Sequence, residues 1–204
     1  MSSVLIQLLT ENEYLARERQ AKFRSEFYRG ETFAMAGASR EHNLIAANVA
    51  RALGNQLISR TCEVYQSDMK IRISPTGLYT YPDVVVACGE LQFADDKNDV
   101  LLNPTLVVEV LSESTAKYDL GRKFEFYQEL DSFIDYVIVY QAEAKVIHYR
   151  RQDDGTWTYR LLVGMEATLD LESIACSLPF ASICRGVEFG PEDDQPPMIS
   201  PHPA

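Results

Sequence analysis

Two short apolar runs, each carrying a single carboxylate, constrain this chain more than any other feature. The first is Tyr81-Pro82-Asp83-Val84-Val85-Val86 and the second is Leu106-Val107-Val108-Glu109-Val110-Leu111. Nearly continuous β-branched and aliphatic residues over this length suit strands buried on both faces of a sheet. Asp83 stands at the start of one run and Glu109 inside the other. A carboxylate taken out of water in such a setting needs a cation or hydrogen-bond donors to offset its lost hydration. One divalent metal can serve both carboxylates.

A polar segment and a helix follow the second run. Leu120, Phe124, Tyr127 and Leu130 recur at helical spacing as an apolar face, with Asp119 and Lys123 four apart on a neighbouring face. Two readings are open for that pair. One is a surface ion pair worth about 0.2–0.5 kcal/mol. The other has Lys123 reaching back over the strand ends toward Asp83 and Glu109.

The two runs resemble the nuclease superfamily whose sites are written Pro-Asp…(Asp/Glu)-x-Lys. Pro82-Asp83 supplies the first half and Glu109-Val110-Leu111 the second, with Leu111 where the lysine is expected. More narrowly, the chain is similar to the Uma2 family of restriction-endonuclease-like proteins abundant in cyanobacteria. The pieces that carry the resemblance run in order over roughly residues 10–165. They are Met35-Ala36-Gly37-Ala38-Ser39 with His42, the Tyr81 and Leu106 runs with Ser112, Ser114 and Thr115, then Asp119 with Lys123 and Tyr127, then Asp135-Tyr136-Val137-Ile138. The resemblance implies a sheet flanked by helices, a divalent metal, and a lysine moved onto the following helix, which makes Lys123 the stand-in for Leu111.

The rest of the chain reads as α/β. Thr10 with Glu13 forms a capping box that opens a first helix. Residues 26–35 read as a hairpin turning at Arg29-Gly30, and Ser39 as the N-cap of a helix running to about Ser59. His42 lies in the first turn of that helix, where it is either structural or a site residue. Residues 62–73 read as one strand interrupted at Asp68, which is either a bulge residue or an acid facing the metal. The polar loop 90–103 carries solvated acids. Residues 136–141, 146–150 and 157–163 read as an antiparallel meander, and 169–180 as a loop and short helix on the sheet edge. The fold expected is a mixed central sheet flanked by helices, restriction-endonuclease-like, with the meander toward the C-terminus. One domain is expected over 1–189. A tail over 190–204, holding five of the nine prolines and no hydrophobic period, is expected to be disordered.

Composition excludes several alternatives. No apolar run approaches the roughly 20 residues that span a bilayer, so no membrane partner is expected. No secretory signal is legible, and the cytoplasm is the expected location. Cys62, Cys88, Cys176 and Cys184 are scattered without Cys-x-x-Cys spacing, which excludes a zinc site and suits buried thiols. The net charge of −11 excludes a protein that is basic overall and grips phosphates non-specifically. A nucleic-acid enzyme of this charge needs a local basic surface. Lys145, Arg150, Arg151 and Arg160 make the meander the best candidate.

The function expected is metal-dependent hydrolysis of phosphodiester bonds, in DNA, by a homodimer. Mg²⁺ or Mn²⁺ would be held by Asp83, Glu109 and the backbone carbonyl of Val110, with Lys123 in the catalytic role and Asp68 and His42 auxiliary. The Ser112, Ser114 and Thr115 hydroxyls can cap the next helix or meet a phosphate oxygen. The alternative is a nuclease fold kept as a catalytically silent binding or assembly module, which the acidic charge and Leu111 favour.

Overall fold

A computed structural model describes residues 8–74, 76–112 and 116–189 of the chain. The Thr10 hydroxyl accepts the Glu13 N–H, and the Glu13 carboxylate accepts the Thr10 N–H at 2.8 Å, so the expected capping box opens α1 (Glu11–Glu18). Strands β1 (Ser25–Tyr28) and β2 (Glu31–Ala34) form the expected hairpin. Its turn residues Arg29 and Gly30 both have positive φ, 50° and 91°. A Cβ on Gly30 would stand 2.7 Å from the Leu8 Cβ, so only glycine fits there. Ser39 caps α2 (Arg40–Leu57), its side chain accepting the His42 N–H at 3.0 Å.

Residues 62–73 are not one strand. They form β3 (Cys62–Gln66) and β4 (Lys70–Ile73), which belong to different sheets. Ser67, at φ 54°, turns the chain between them. Next come β5 (Leu78–Thr80), β6 (Val84–Cys88), β7 (Val100–Leu101) and β8 (Leu106–Leu111). Short helices α3 (Ala116–Asp119) and α4 (Arg122–Tyr127) precede the meander β9 (Asp135–Tyr140), β10 (Lys145–Arg151) and β11 (Trp157–Val163). The expected loop at 169–180 is instead a hairpin of β12 (Thr168–Leu171) and β13 (Cys176–Pro179), joined through a 3₁₀ turn, and α5 (Phe180–Ile183) follows. Leu169 and Leu171 alternate with exposed residues, as do Cys176 and Leu178. That is the period of a strand buried on one face.

The larger sheet runs β11-β10-β9-β8-β6-β3, and within it only β8 and β9 pair in parallel. The smaller sheet runs β2-β1-β5-β4-β7. Both faces of β6 and β8 are covered. Val84, Val86, Val108 and Val110 pack with Ile45, Val49 and Leu53 of α2 and with Phe180. Val85, Ala87, Val107 and Leu111 pack on the opposite side with Tyr127, Phe133 and Ile71 of the smaller sheet. Each such side chain contributes about 1.5–3 kcal/mol when fully buried. This accounts for two uninterrupted apolar runs in which any polar residue stands out.

Cys62 and Cys88 face each other across β3 and β6 and are joined in a disulfide, whereas Cys176 and Cys184 are buried free thiols. The expectation of four thiols is corrected on this point. Their separation of 26 residues hides the pairing in the sequence, because only the strand register brings them together. Among the described residues no helix is long and apolar enough to cross a membrane. The expected tail over 190–204 lies outside the described residues.

Candidate active site

Antiparallel pairing of Val84 with Val108 carries Asp83 one step on, opposite Glu109. Directly opposed residues of an antiparallel pair project to the same face. The pairing thus delivers both carboxylates to one end of the sheet, where β6 begins. The backbone N–H of Val110 donates to Asp83 Oδ2 at 2.7 Å, and His42 Nε2 lies 3.1 Å from the same oxygen. His42 is placed by its helix. The Ser39 hydroxyl donates to Gln141 Oε1 at 2.8 Å, which ties the start of α2 to the residue after β9.

Glu109 is 3% exposed and accepts two hydrogen bonds at Oε1, from Lys123 Nζ at 3.1 Å and from the Tyr127 hydroxyl at 3.0 Å. Lys123 also lies 3.1 Å from Asp119 Oδ1 and 3.6 Å from Glu26 Oε1. Glu26 in turn accepts the Thr80 hydroxyl. The Asp119–Lys123 pair is therefore not the surface ion pair of the first reading: both residues are buried, at the end of the strands that carry the two acids.

Burial pushes the Glu109 carboxyl up to about 8; Lys123 opposes that rise, and Asp119 and Asp83 add to it. Burial works against the Lys123 charge as well. The surrounding carboxylates, Glu109 first, outweigh it and hold its pKa well above the ordinary lysine range. Even with the Glu109 carboxyl protonated, Glu26, Asp83 and Asp119 face one lysine and one histidine, so the cluster has an excess of acidic groups.

That excess fits a hard divalent cation. Asp83 meets Val110 and His42 through Oδ2, and Glu109 meets Lys123 and Tyr127 through Oε1. Oxygen donors of this kind suit Mg²⁺ or Mn²⁺. Among the described residues no group of three or more His, Cys, Asp or Glu side chains is arranged as a ready-made metal cage. Mg²⁺ commonly takes only one or two carboxylates and keeps several waters, so the pair is compatible with that ion.

The cluster lines a cleft of about 690 Å³ between the β1–β2 hairpin, the start of α2 and the strand ends. Glu26, His42, Asp83, Glu109, Asp119 and Lys123 all reach it. Asp68 is not brought in. Its side chain is 87% exposed and pairs with Arg24 at 3.0 Å, outside the cluster. Val110 meets Asp83 through its N–H. Ser114 and Thr115 lie outside the described residues.

Three of the meander's four cations are engaged within the fold. Arg150 meets the Glu172 carboxylate, Arg151 donates to the Leu130 carbonyl at 3.2 Å, and Lys145 lies 3.1 Å from Glu143. Arg160 is exposed on β11. Glu26 is the residue that sequence reasoning missed. It sits in a short hairpin strand of the other sheet, and nothing local marks it out from a solvated acid.

The mixed sheet, its covering helices and the opposed carboxylates at the strand ends define a nuclease-like α/β protein. A crystal structure of "a putative nuclease belonging to DUF820" from Anabaena variabilis superposes with a TM-score of 0.69, covering 86% of this chain and 97% of that one. At 15% identity this likeness is one of fold. The model of the Uma2 family, described as "putative restriction endonuclease", matches residues 11–181, and the chain belongs to that family. Two relatives come from Synechocystis sp. Uncharacterized protein sll1609 is 38% identical over 163 residues, covering 80% of this chain and 92% of the relative. Uncharacterized protein slr1290 is 36% identical over 184 residues, covering 89% and 94%.

Proposed function

We propose that this protein is a divalent-metal-dependent endonuclease that hydrolyses phosphodiester bonds in DNA. The observation that carries the reading is the meeting of Asp83, Glu109 and a charged Lys123 at one cleft, although the lysine comes from a different element than the usual motif supplies. Asp83 and Glu109 would hold Mg²⁺ or Mn²⁺, with the Val110 carbonyl as a further donor. When bound, the ion supplies Lewis acidity and makes water more acidic.

The chain's own groups do the rest. The Val110 N–H and His42 fix the orientation of Asp83. Lys123 offsets the negative charge that builds on the phosphoryl oxygens, and a positioned charge of this kind is worth about 10²–10³ in rate. Tyr127 and Asp119 hold Lys123 and Glu109 in register with each other. Cutting both strands of a duplex in one encounter calls for two such sites, hence a homodimer.

A second reading is a nuclease fold that binds or assembles without turnover. The net charge of −11 and the three carboxylates already grouped around Lys123 favour it. Calorimetry with Mn²⁺ and a short DNA duplex separates the two. The hydrolytic reading predicts metal binding to the wild type that is lost in Asp83→Ala. If the wild type takes up neither metal nor duplex at millimolar Mn²⁺, that reading is wrong.

A further inference from the structure

Among the described residues no strand pairs with the outer edge of β11. Its inner edge determines which backbone groups face outward. The Gln152 N–H donates to the Thr156 carbonyl and the Gly164 N–H to the Ala144 carbonyl, both at 2.8 Å. Bonded and non-bonded pairs alternate along an antiparallel ladder. With Lys145 opposite Val163 and Arg151 opposite Trp157, residues Thr158, Arg160 and Leu162 therefore bond inward to β10. Tyr159, Leu161 and Val163 turn their N–H and C=O groups to the open edge.

The same three residues carry exposed apolar side chains, 54%, 47% and 62% accessible, on one face of the sheet. β11 contains no proline and no lysine, residues that commonly keep an edge strand from pairing. Its free backbone groups and its exposed apolar row thus coincide.

We propose that β11 is a homodimer interface, where a second copy of this chain pairs antiparallel with the two-fold axis at Leu161. The outward groups allow an axis at any residue of β11; one at Arg160 lies at the middle of the strand, and one at Leu161 lies at the middle of the apolar row. The first choice sets two guanidinium groups directly opposite each other, which is unfavourable. The second sets Leu161 against its copy and Tyr159 against Val163, so the apolar row covers itself and Arg160 falls opposite Leu162. The pairing is closed, so it ends at two copies and joins two larger sheets into one. One strand edge buries little area for a stable interface, so the association is expected to be reversible on dilution. None of this depends on the hydrolytic reading.

Sedimentation equilibrium of the full chain across the micromolar range tests it. The wild type is expected to show a monomer–dimer equilibrium. Leu161→Lys and Tyr159→Lys should each weaken it at least about tenfold, with circular dichroism unchanged. Ile58→Lys, at an exposed site on the turn after α2, should leave it intact. Leu161→Cys should be joined to its copy by a short bis-maleimide. A wild type that stays monomeric overturns the proposal. So does a Leu161→Lys protein that associates like the wild type, or a dimer whose Leu161→Cys form cannot be joined.

Discussion

Lys123 is held where three carboxylates meet, and its removal leaves Glu109 and Asp119 buried without a counter-ion. Lys123→Met is expected to destabilise the fold by about 3–5 kcal/mol. Glu109→Gln in the same chain should recover part of that loss, because the uncharged amide needs no counter-ion. Urea unfolding of both single variants and the double variant should give a coupling of about 1–3 kcal/mol. Additive effects would mean that the two side chains do not act as a pair. His42 is different, since its side chain lines the cleft, 14% exposed, and its polar contact there is with Asp83. His42→Ala should therefore lower turnover while changing stability by less than about 1 kcal/mol. Asp83 and Glu109 were legible in the sequence because a carboxylate in an apolar run is conspicuous. Lys123 needed the family resemblance to be separated from an ordinary surface pair. Glu26 was not legible, as the second sheet brings it in. Asp68 misled because an acid at a strand break reads the same whether it faces a site or solvent.

At the scale of elements, α1 is clamped to the loop before β7. Arg19 meets Asp95 at 2.8 Å and Asp99 at 2.6 Å, and Lys70 of β4 reaches Asp99 at 3.2 Å. The Arg19 hydrogen bond, aided by Lys70, holds the Asp99 carboxyl down at about 2, below the ordinary aspartate range. A depressed carboxylate stabilises the fold fully above its unfolded pKa, about 3.9, and loses that contribution as pH falls toward the folded value. Asp99→Asn should thus be less stable than the wild type at neutral pH, and the two should converge as pH drops from about 4 toward 2. Denaturant unfolding across that range is the check, and a difference independent of pH would exclude this origin. The loop had looked solvated in the sequence, since its acids find their partners on α1 and β4. The capping box, the first hairpin, the Ser39 cap and the meander were all legible because local signals specify them. The switch of sheets at Ser67 and the 168–179 hairpin were not. One is decided by which sheet has room, and the other by alternation over only four residues per strand.

At the scale of the whole molecule, the Cys62–Cys88 bond ties the outermost strand of one end of the larger sheet to its neighbour. Reduction is expected to lower stability by roughly 2–4 kcal/mol. A melting temperature unmoved by reductant would show that the two cysteines contribute nothing to the fold as a cross-link. The general architecture followed from two buried strand signatures and a period-2 meander, whereas the division into two sheets came only with the strand pairing. That division matters for function, because the smaller sheet supplies Glu26, held by the Thr80 hydroxyl, to a cleft whose other acids come from the ends of the larger sheet and from α3. The central claim is that this cleft hydrolyses phosphodiester bonds when a divalent metal is present. The most direct test is cleavage of supercoiled plasmid DNA with Mn²⁺ or Mg²⁺, run beside Asp83→Ala and Glu109→Gln. Metal-dependent nicking or linearisation by the wild type, abolished in both variants and by chelation, is the predicted result. Cleavage that survives in the folded variants would place the chemistry elsewhere, and a metal-loaded wild type that binds the plasmid without cutting it would contradict the claim.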